Sequence, residues 1–154
     1  MKNTTLIYLE RDGAYLMLHR VKKKEDINRG KWIGVGGKVE ENESPEEGAL
    51  REIAEETGLT VLPEHLHYRA LITFVSDTCE GEYMHLFTAD TFSGKLRDCN
   101  EGTLCWIPKE EVPLLPTWEG DPLFLKRIAE PGPFFTMKLV YRGESLVSAT
   151  VRNL

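Results

Sequence analysis

Between Ser44 and Gly58 the chain spells out both ends of a helix and, inside it, a row of carboxylates that an isolated helix resists. Ser44-Pro45-Glu46-Glu47 puts serine at an N-cap, proline at the first helical position and glutamate at the third, the two halves of a capping box. Gly58 supplies the left-handed stop, so the spacing predicts a helix over 45–57. At roughly 100° per residue, Glu52, Glu55 and Glu56 share one arc, while Leu50, Ile53 and Ala54 fall on the other side. One face is expected to pack and the open face to present three carboxylates. Like charges at this spacing each cost a few tenths of a kcal/mol, a penalty that a divalent cation removes. The plain alternative is a solvated acidic face with Arg51 bridging Glu47 and Glu55.

Charge makes that stretch singular. The whole chain carries a net −6, and residues 37–60 alone hold eight glutamates against Lys38 and Arg51, the same balance. The acidity of a 154-residue protein thus sits in one patterned segment. It argues against a nucleic-acid polymer or an anionic membrane surface as partner. The longest apolar run is Ala14 to Leu18, far short of the roughly 20 residues of a bilayer span, and no secretory signal opens the chain. A cytoplasmic protein is expected. Cys79, Cys99 and Cys105 are odd in number and lack a C-x-x-C pair, so they read as reduced thiols. The length suits one domain, 1–154.

Elsewhere the pattern alternates strands and turns. Residues 5–9 and 14–19 flank Arg11-Asp12-Gly13 and read as a hairpin. Residues 22–38 form a basic, Gly-rich loop with a short strand around Trp32, Ile33 and Val35. Residues 71–75 and 83–89 pair around a polar turn, and 104–107 adds another strand. Glu110-Glu111 open a short surface helix, and His19, His65, His67 and His85 read as structural or exposed. Asp121-Pro122 looks like an N-cap and first turn for a helix carrying Leu123, Phe124, Leu125 and Ile128, and 134–141 with 146–151 forms a last hairpin at Arg142-Gly143. Hairpins mixed with two clear helices predict a mixed α+β (α/β) domain, a mixed sheet covered by helices.

From Gly37 the chain reads glycine, five residues, Glu43, seven residues, then Arg51-Glu52-Ile53-Ala54-Glu55-Glu56-Thr57-Gly58-Leu59. This stretch, 37–59, matches every position of the Nudix box, and the chain resembles the Nudix hydrolase family. The resemblance implies a Nudix fold, a mixed β-sheet sandwiched between helices, and magnesium, or manganese, held on the diphosphate of a small-molecule nucleotide. By position, Glu52, Glu55 and Glu56 become metal ligands together with the Gly37 carbonyl, with Arg51 and Glu43 orienting them. Glu101, before the 104–107 strand, is the expected additional acid. Glu55 and Glu56 rank above it as proton acceptor. Magnesium prefers oxygen ligands shared with substrate phosphates, which suits such a cluster.

Outside the box, Gly30-Lys31-Trp32, Gly34 to Val39, Pro116 to Asp121 and Phe134-Phe135 resemble the MutT-like branch, which cleaves oxidised purine nucleoside triphosphates such as 8-oxo-dGTP to monophosphate and pyrophosphate. The resemblance places Trp118 and Asp121 against the base, an indole to stack and a carboxyl to pair with a guanine-type edge. Both have plain roles too, a core filler and a helix cap. Ile33 stands where mammalian members carry asparagine, removing an amide contact to the base. Arg20, ahead of Lys22, Lys23 and Lys24, and Lys38 are expected near the phosphates. Another Nudix substrate (a dinucleoside polyphosphate, ADP-ribose or a nucleotide sugar) or a noncatalytic nucleotide-binding module remains open. The sequence carries no signal for an oligomeric state.

Overall fold

Two strands begin the chain, β1 (Lys2–Arg11) and β2 (Ala14–His19), and they part company almost at once. The computed structural model describes residues 1–154. Asp12 and Gly13 both take positive φ, 52° and 76°, the conformation a tight two-residue hairpin requires. Yet only Glu10↔Tyr15 and Arg11↔Ala14 pair across it. Beyond the turn β1 lies parallel to β6 (Glu82–Ala89), in register from Lys2↔Glu82 to Leu9↔Ala89. The hairpin expected for 5–9 and 14–19 is therefore real only at its tip.

The remaining elements follow as β3 (Trp32–Ile33), α1 (Pro45–Thr57), β4 (Leu59–Thr60), β5 (His67–Ser76), β6 (Glu82–Ala89), β7 (Ser93–Gly94), β8 (Thr103–Pro108), α2 (Asp121–Ile128), β9 (Phe135–Arg142) and β10 (Ser145–Asn153). A short 3₁₀ segment, Lys109–Leu114, follows β8. The principal sheet has eight strands, with β10-β9-β5-β6-β1-β2-β3 in spatial order and β8 also against β2. The pairs β1/β6 and β5/β9 are parallel and the others antiparallel. It is the mixed sheet the pattern predicted.

Both faces of that sheet are covered, which explains why Ile7, Tyr8 and Leu9 are all fully buried although successive strand residues point opposite ways. Ile7 and Leu9 pack with Leu16, Phe87 and the α1 residues Ala49 and Ile53. Tyr8 faces the other way, with Ile72, Leu139 and the α2 residues Phe124, Leu125 and Ile128. Full burial of a side chain such as Ile53 or Phe124 contributes about 1.5–3 kcal/mol. Helix α1 has the expected caps. Ser44 Oγ accepts from the Glu47 N–H at 3.0 Å, Glu47 Oε1 accepts from the Ser44 N–H at 2.8 Å, and Gly58 sits at φ 79°.

Two expectations need correcting here. Gly120, not Asp121, occupies the N-cap of α2; it has no side-chain cap, and Asp121 is the first helical residue, 6% exposed. Nor does α1 present three equally open acids: Glu56 is buried and Ala54 exposed, because the loop carrying Gly36 and the chain around Cys99 close over that end of the helix. The cysteines are free thiols. His85 is buried between Tyr68 and Asn3, and His19 stacks on Trp32.

Candidate active site

The site grows out of the gap that opens where β1 and β2 diverge. The chain after β3 fills it, bridging Ile7↔Val35 and Thr4↔Lys38 alongside β1. Such close approach leaves no room for side chains. A Cβ at Gly34 would lie 2.6 Å from the Ile7 carbonyl oxygen, and one at Gly36, whose φ is 150°, would lie 2.0 Å from that of Thr5. Gly37 abuts the helix instead, for its Cβ would fall 2.6 Å from Glu52 Oε1. The glycines thus form a bare backbone wall against the acidic face of α1.

Behind that wall Arg51 organises the acids. Its guanidinium grips Glu43 with two bonds, 2.7 and 3.0 Å, and donates to Glu52 at 2.9 Å, Glu55 at 3.2 Å and the Lys38 carbonyl at 3.0 Å. Glu47 belongs to the helix cap, so the plain alternative of an Arg51–Glu47 bridge does not form. Hydrogen bonding by Arg51 lowers Glu43 to about 2. Glu52, whose side chain is 15% exposed, is pushed up by burial, with Arg51 opposing the shift. Glu55 extends into solvent at 60% exposure.

Glu56 lies deepest. Its Oε1 accepts the Gly36 N–H at 2.6 Å, and Cys99 Sγ stands 3.8 Å from Oε2. Ligand atoms of Glu56, Cys99 and Glu101 all lie within 4.8 Å of one another. Burial, reinforced by the facing Glu101 carboxylate, raises the proton affinity of Glu56. Burial also opposes charge on Glu101, but Arg20 at 2.9 Å and Lys23 at 3.1 Å hold it below the usual carboxylate range. A buried acid, Glu56, held against the half-buried Glu101 at the cost of proton uptake forms a donor set that suits a hard dication, because oxygen ligands and a charge deficit are both present. The Gly37 carbonyl does not join them: it accepts from the Thr5 N–H at 2.8 Å and from Thr5 Oγ1 at 3.3 Å. Of the two glycines, Gly36 is the one bonded to an acid.

On the other side of the glycine wall lies a cleft of about 460 Å³. Gly36, Gly37, Arg20 and Glu101 line it at one end, and Phe74, Met84, Trp118 and Asp121 line it elsewhere. Trp118 is both packed and available. It meets Phe74 and Tyr141 edge-on, with centroids 5.3 and 5.1 Å apart, and its Nε1 donates to Asn28 Oδ1 at 2.7 Å. The Lys31 ammonium stands 4.6 Å from its ring centroid. Asp121 is raised to about 8 by burial, so its carboxyl holds a proton at neutral pH and offers one donor beside its acceptor. Arg20 is already committed to Asp26 at 2.7 Å and to Glu101, which makes it a partner of an acid rather than a free phosphate clamp. Lys38 is exposed at the rim.

Residues 2–128 match the NUDIX domain family. The chain belongs to the Nudix family. This Nudix chain is 33% identical over 130 residues to the oxidized purine nucleoside triphosphate hydrolase of Danio rerio, with 82% of this chain and 81% of that protein covered. It is 35% identical over 109 residues to the protein of the same name from Mus musculus, covering 68% and 69%. The crystal structure of a MutT protein from Bacillus halodurans superposes with a TM-score of 0.86 at 25% identity, over 98% of this chain and 97% of that one. This chain is a Nudix hydrolase of the MutT type, from a family that acts on small-molecule nucleotides. No helix of it is long and apolar enough to cross a membrane.

Three residues of the Nudix site escape sequence reasoning. Asp26 and Asn28 sit in a lysine-rich loop that reads as solvated, and only the acid two positions before an asparagine hints at an inward turn. Cys99 carries no signal beyond its place two residues before Glu101.

Proposed function

We propose that this chain hydrolyses oxidised purine nucleoside triphosphates to the monophosphate and pyrophosphate, with magnesium, or manganese in its place. The observation that carries the reading is the continuity of one cleft, from the Gly36–Gly37 wall and Glu101 to Trp118 and Asp121. A triphosphate laid along it meets Glu101 and the Gly36–Gly37 backbone at the wall that abuts the α1 acids, while its base reaches the indole.

Glu52, Glu55, Glu56 and Glu101 would hold the ion, which when bound supplies charge neutralisation on the diphosphate linkage. Arg51 bridges Glu52 and Glu55 through one nitrogen, Nη1, and so holds both in place, using Glu43 as its anchor. Glu55 is the most accessible acid and is suited to accept the proton of the attacking water, with Glu56 next. Trp118 provides a stacking face and Asp121 a protonated carboxyl that pairs with a purine edge bearing both an acceptor and an N–H. Ile33 contributes only apolar wall, so base selection falls on Asp121. Nucleotide-pool sanitation, the DNA-protecting role of such an activity, and a cytoplasmic setting belong to the same reading.

The test is a panel of 8-oxo-dGTP, dGTP, CTP, ADP-ribose and diadenosine polyphosphates in magnesium, with product analysis. Preference for 8-oxo-dGTP with pyrophosphate release supports the reading. Orthophosphate plus diphosphate as products, or preference for ADP-ribose, overturns it. Tight binding without turnover would mark a noncatalytic binding module.

A further inference from the structure

The loop between β2 and β3 carries a string of hydrogen bonds that joins the two ends of the cleft. Asp26, whose side chain is 5% exposed, uses both carboxylate oxygens. Oδ2 accepts from Arg20 Nε at 2.7 Å, and Arg20 Nη1 reaches Glu101 Oε2 at 2.9 Å. Oδ1 accepts the Asn28 N–H at 2.9 Å, a turn that sets the direction in which the Asn28 side chain leaves the loop. Asn28 Oδ1 then receives the Trp118 indole N–H at 2.7 Å. The loop is closed at its base by Gly30 N–H to the Arg20 carbonyl at 2.7 Å and Arg20 N–H to that of Lys31 at 3.0 Å.

Glu101, Arg20, Asp26, Asn28 and Trp118 thus form one unbroken chain of contacts, and all five line the cleft. Two of its links are charge-assisted and short, hence stiff. A tilt of the indole pulls on Asn28, whose backbone is fastened to the same carboxylate that steers Arg20. We propose that Asp26 and Asn28 are positioning residues that transmit the fit of the base at Trp118 to Glu101, so that discrimination among bases is expressed in turnover as well as in binding. The inference rests on the reading of the cleft given above and deepens it.

Steady-state kinetics with 8-oxo-dGTP, dGTP and base-free tripolyphosphate, in magnesium, test it. Asn28→Leu keeps the side chain's bulk and removes the acceptor. It is expected to lower kcat for 8-oxo-dGTP about tenfold relative to kcat for tripolyphosphate, the effect of one lost hydrogen bond. Asn28→Asp retains an acceptor oxygen and is expected to restore the ratio. Asp26→Asn is expected to act in the same direction, and the double variant to be no worse than the more severe single one, because both cut the same string. Equal losses on all three substrates, an effect confined to KM, or multiplying effects in the double variant would overturn the inference. If the wild-type protein hydrolyses neither nucleotide, both readings fall. Turnover with an unaltered preference in Asn28→Leu removes only this one.

Discussion

Replacing Asp121 by Asn removes a proton-binding group that the fold makes far stronger than it is in the unfolded chain. The ordinary value is 3.8, and burial raises it to about 8, with a backbone hydrogen bond from Trp118 and then the charge of Lys31 pulling the other way. Below pH 4 the carboxyl is protonated whether the chain is folded or not, so its contribution is fully present. Between pH 4 and 8 the unfolded chain releases this proton and the folded one retains it, so wild-type stability falls by about 1.4 kcal/mol per pH unit from this group alone. Asparagine has no such dependence. The stability of Asp121→Asn minus that of wild type is therefore expected to rise by roughly 3 kcal/mol from pH 5 to pH 7, and to level off above pH 8. Urea unfolding at pH 5, 6, 7 and 8, followed by far-UV circular dichroism, reads the difference directly and cancels every other titrating group. A difference that stays flat across that range would refute the burial argument, and with it the protonated carboxyl assigned to base recognition.

Three further outcomes follow from the same geometry. Glu55→Gln is expected to lower kcat in magnesium by roughly 10² to 10⁴ while leaving the unfolding midpoint nearly unmoved, because the side chain is largely in solvent; a rate within a factor of a few of wild type would take Glu55 out of the chemistry. Gly37→Ala puts a methyl where Glu52 Oε1 now lies 2.6 Å away, so turnover should collapse with circular dichroism unchanged, and full activity would show that Glu52 has no fixed post. Trp118→Ala should weaken 8-oxo-dGTP relative to tripolyphosphate by about 1–3 kcal/mol in kcat/KM if bases stack on it, whereas equal losses would assign the indole to packing against Phe74 and Tyr141.

What the sequence discloses and what it conceals divide along a physical line. Helix α1 is legible to the residue because its signals are local: Ser44, Pro45 and Glu47 act within four positions at one end, and Gly58 bonds back only to Ala54 at the other. The Arg51–Glu43 clasp spans eight positions, and the resemblance to the Nudix box, rather than helix spacing, is what anticipates it. The partnership of β1 with β6 was not legible, since parallel pairing across some eighty residues leaves no mark in either strand. The same cause hid the burial of Glu56, which depends on Gly36 and Cys99 arriving from distant parts of the chain. Asp121 followed the cap pattern on paper, but α2 starts one residue earlier than that pattern implies and turns the carboxyl inward. Arg20 looked like a free cation because Asp26 and Glu101, its two partners, lie six and 81 positions away.

The helices on opposite sides of the sheet carry different parts of the candidate site. Glu52, Glu55 and Glu56 ride on α1 and its own buried cluster, whereas Trp118 and Asp121 ride on the α2 side, packed with Phe74, Leu139 and Tyr141. Substitutions around Trp118 and Asp121 therefore fall on the α2 layer, which is joined to Glu101 through Asn28, Asp26 and Arg20. Within this architecture the packing beneath Trp118 can be remodelled while the α1 acids keep their own cluster, and the β2–β3 loop is where the two parts stay in register.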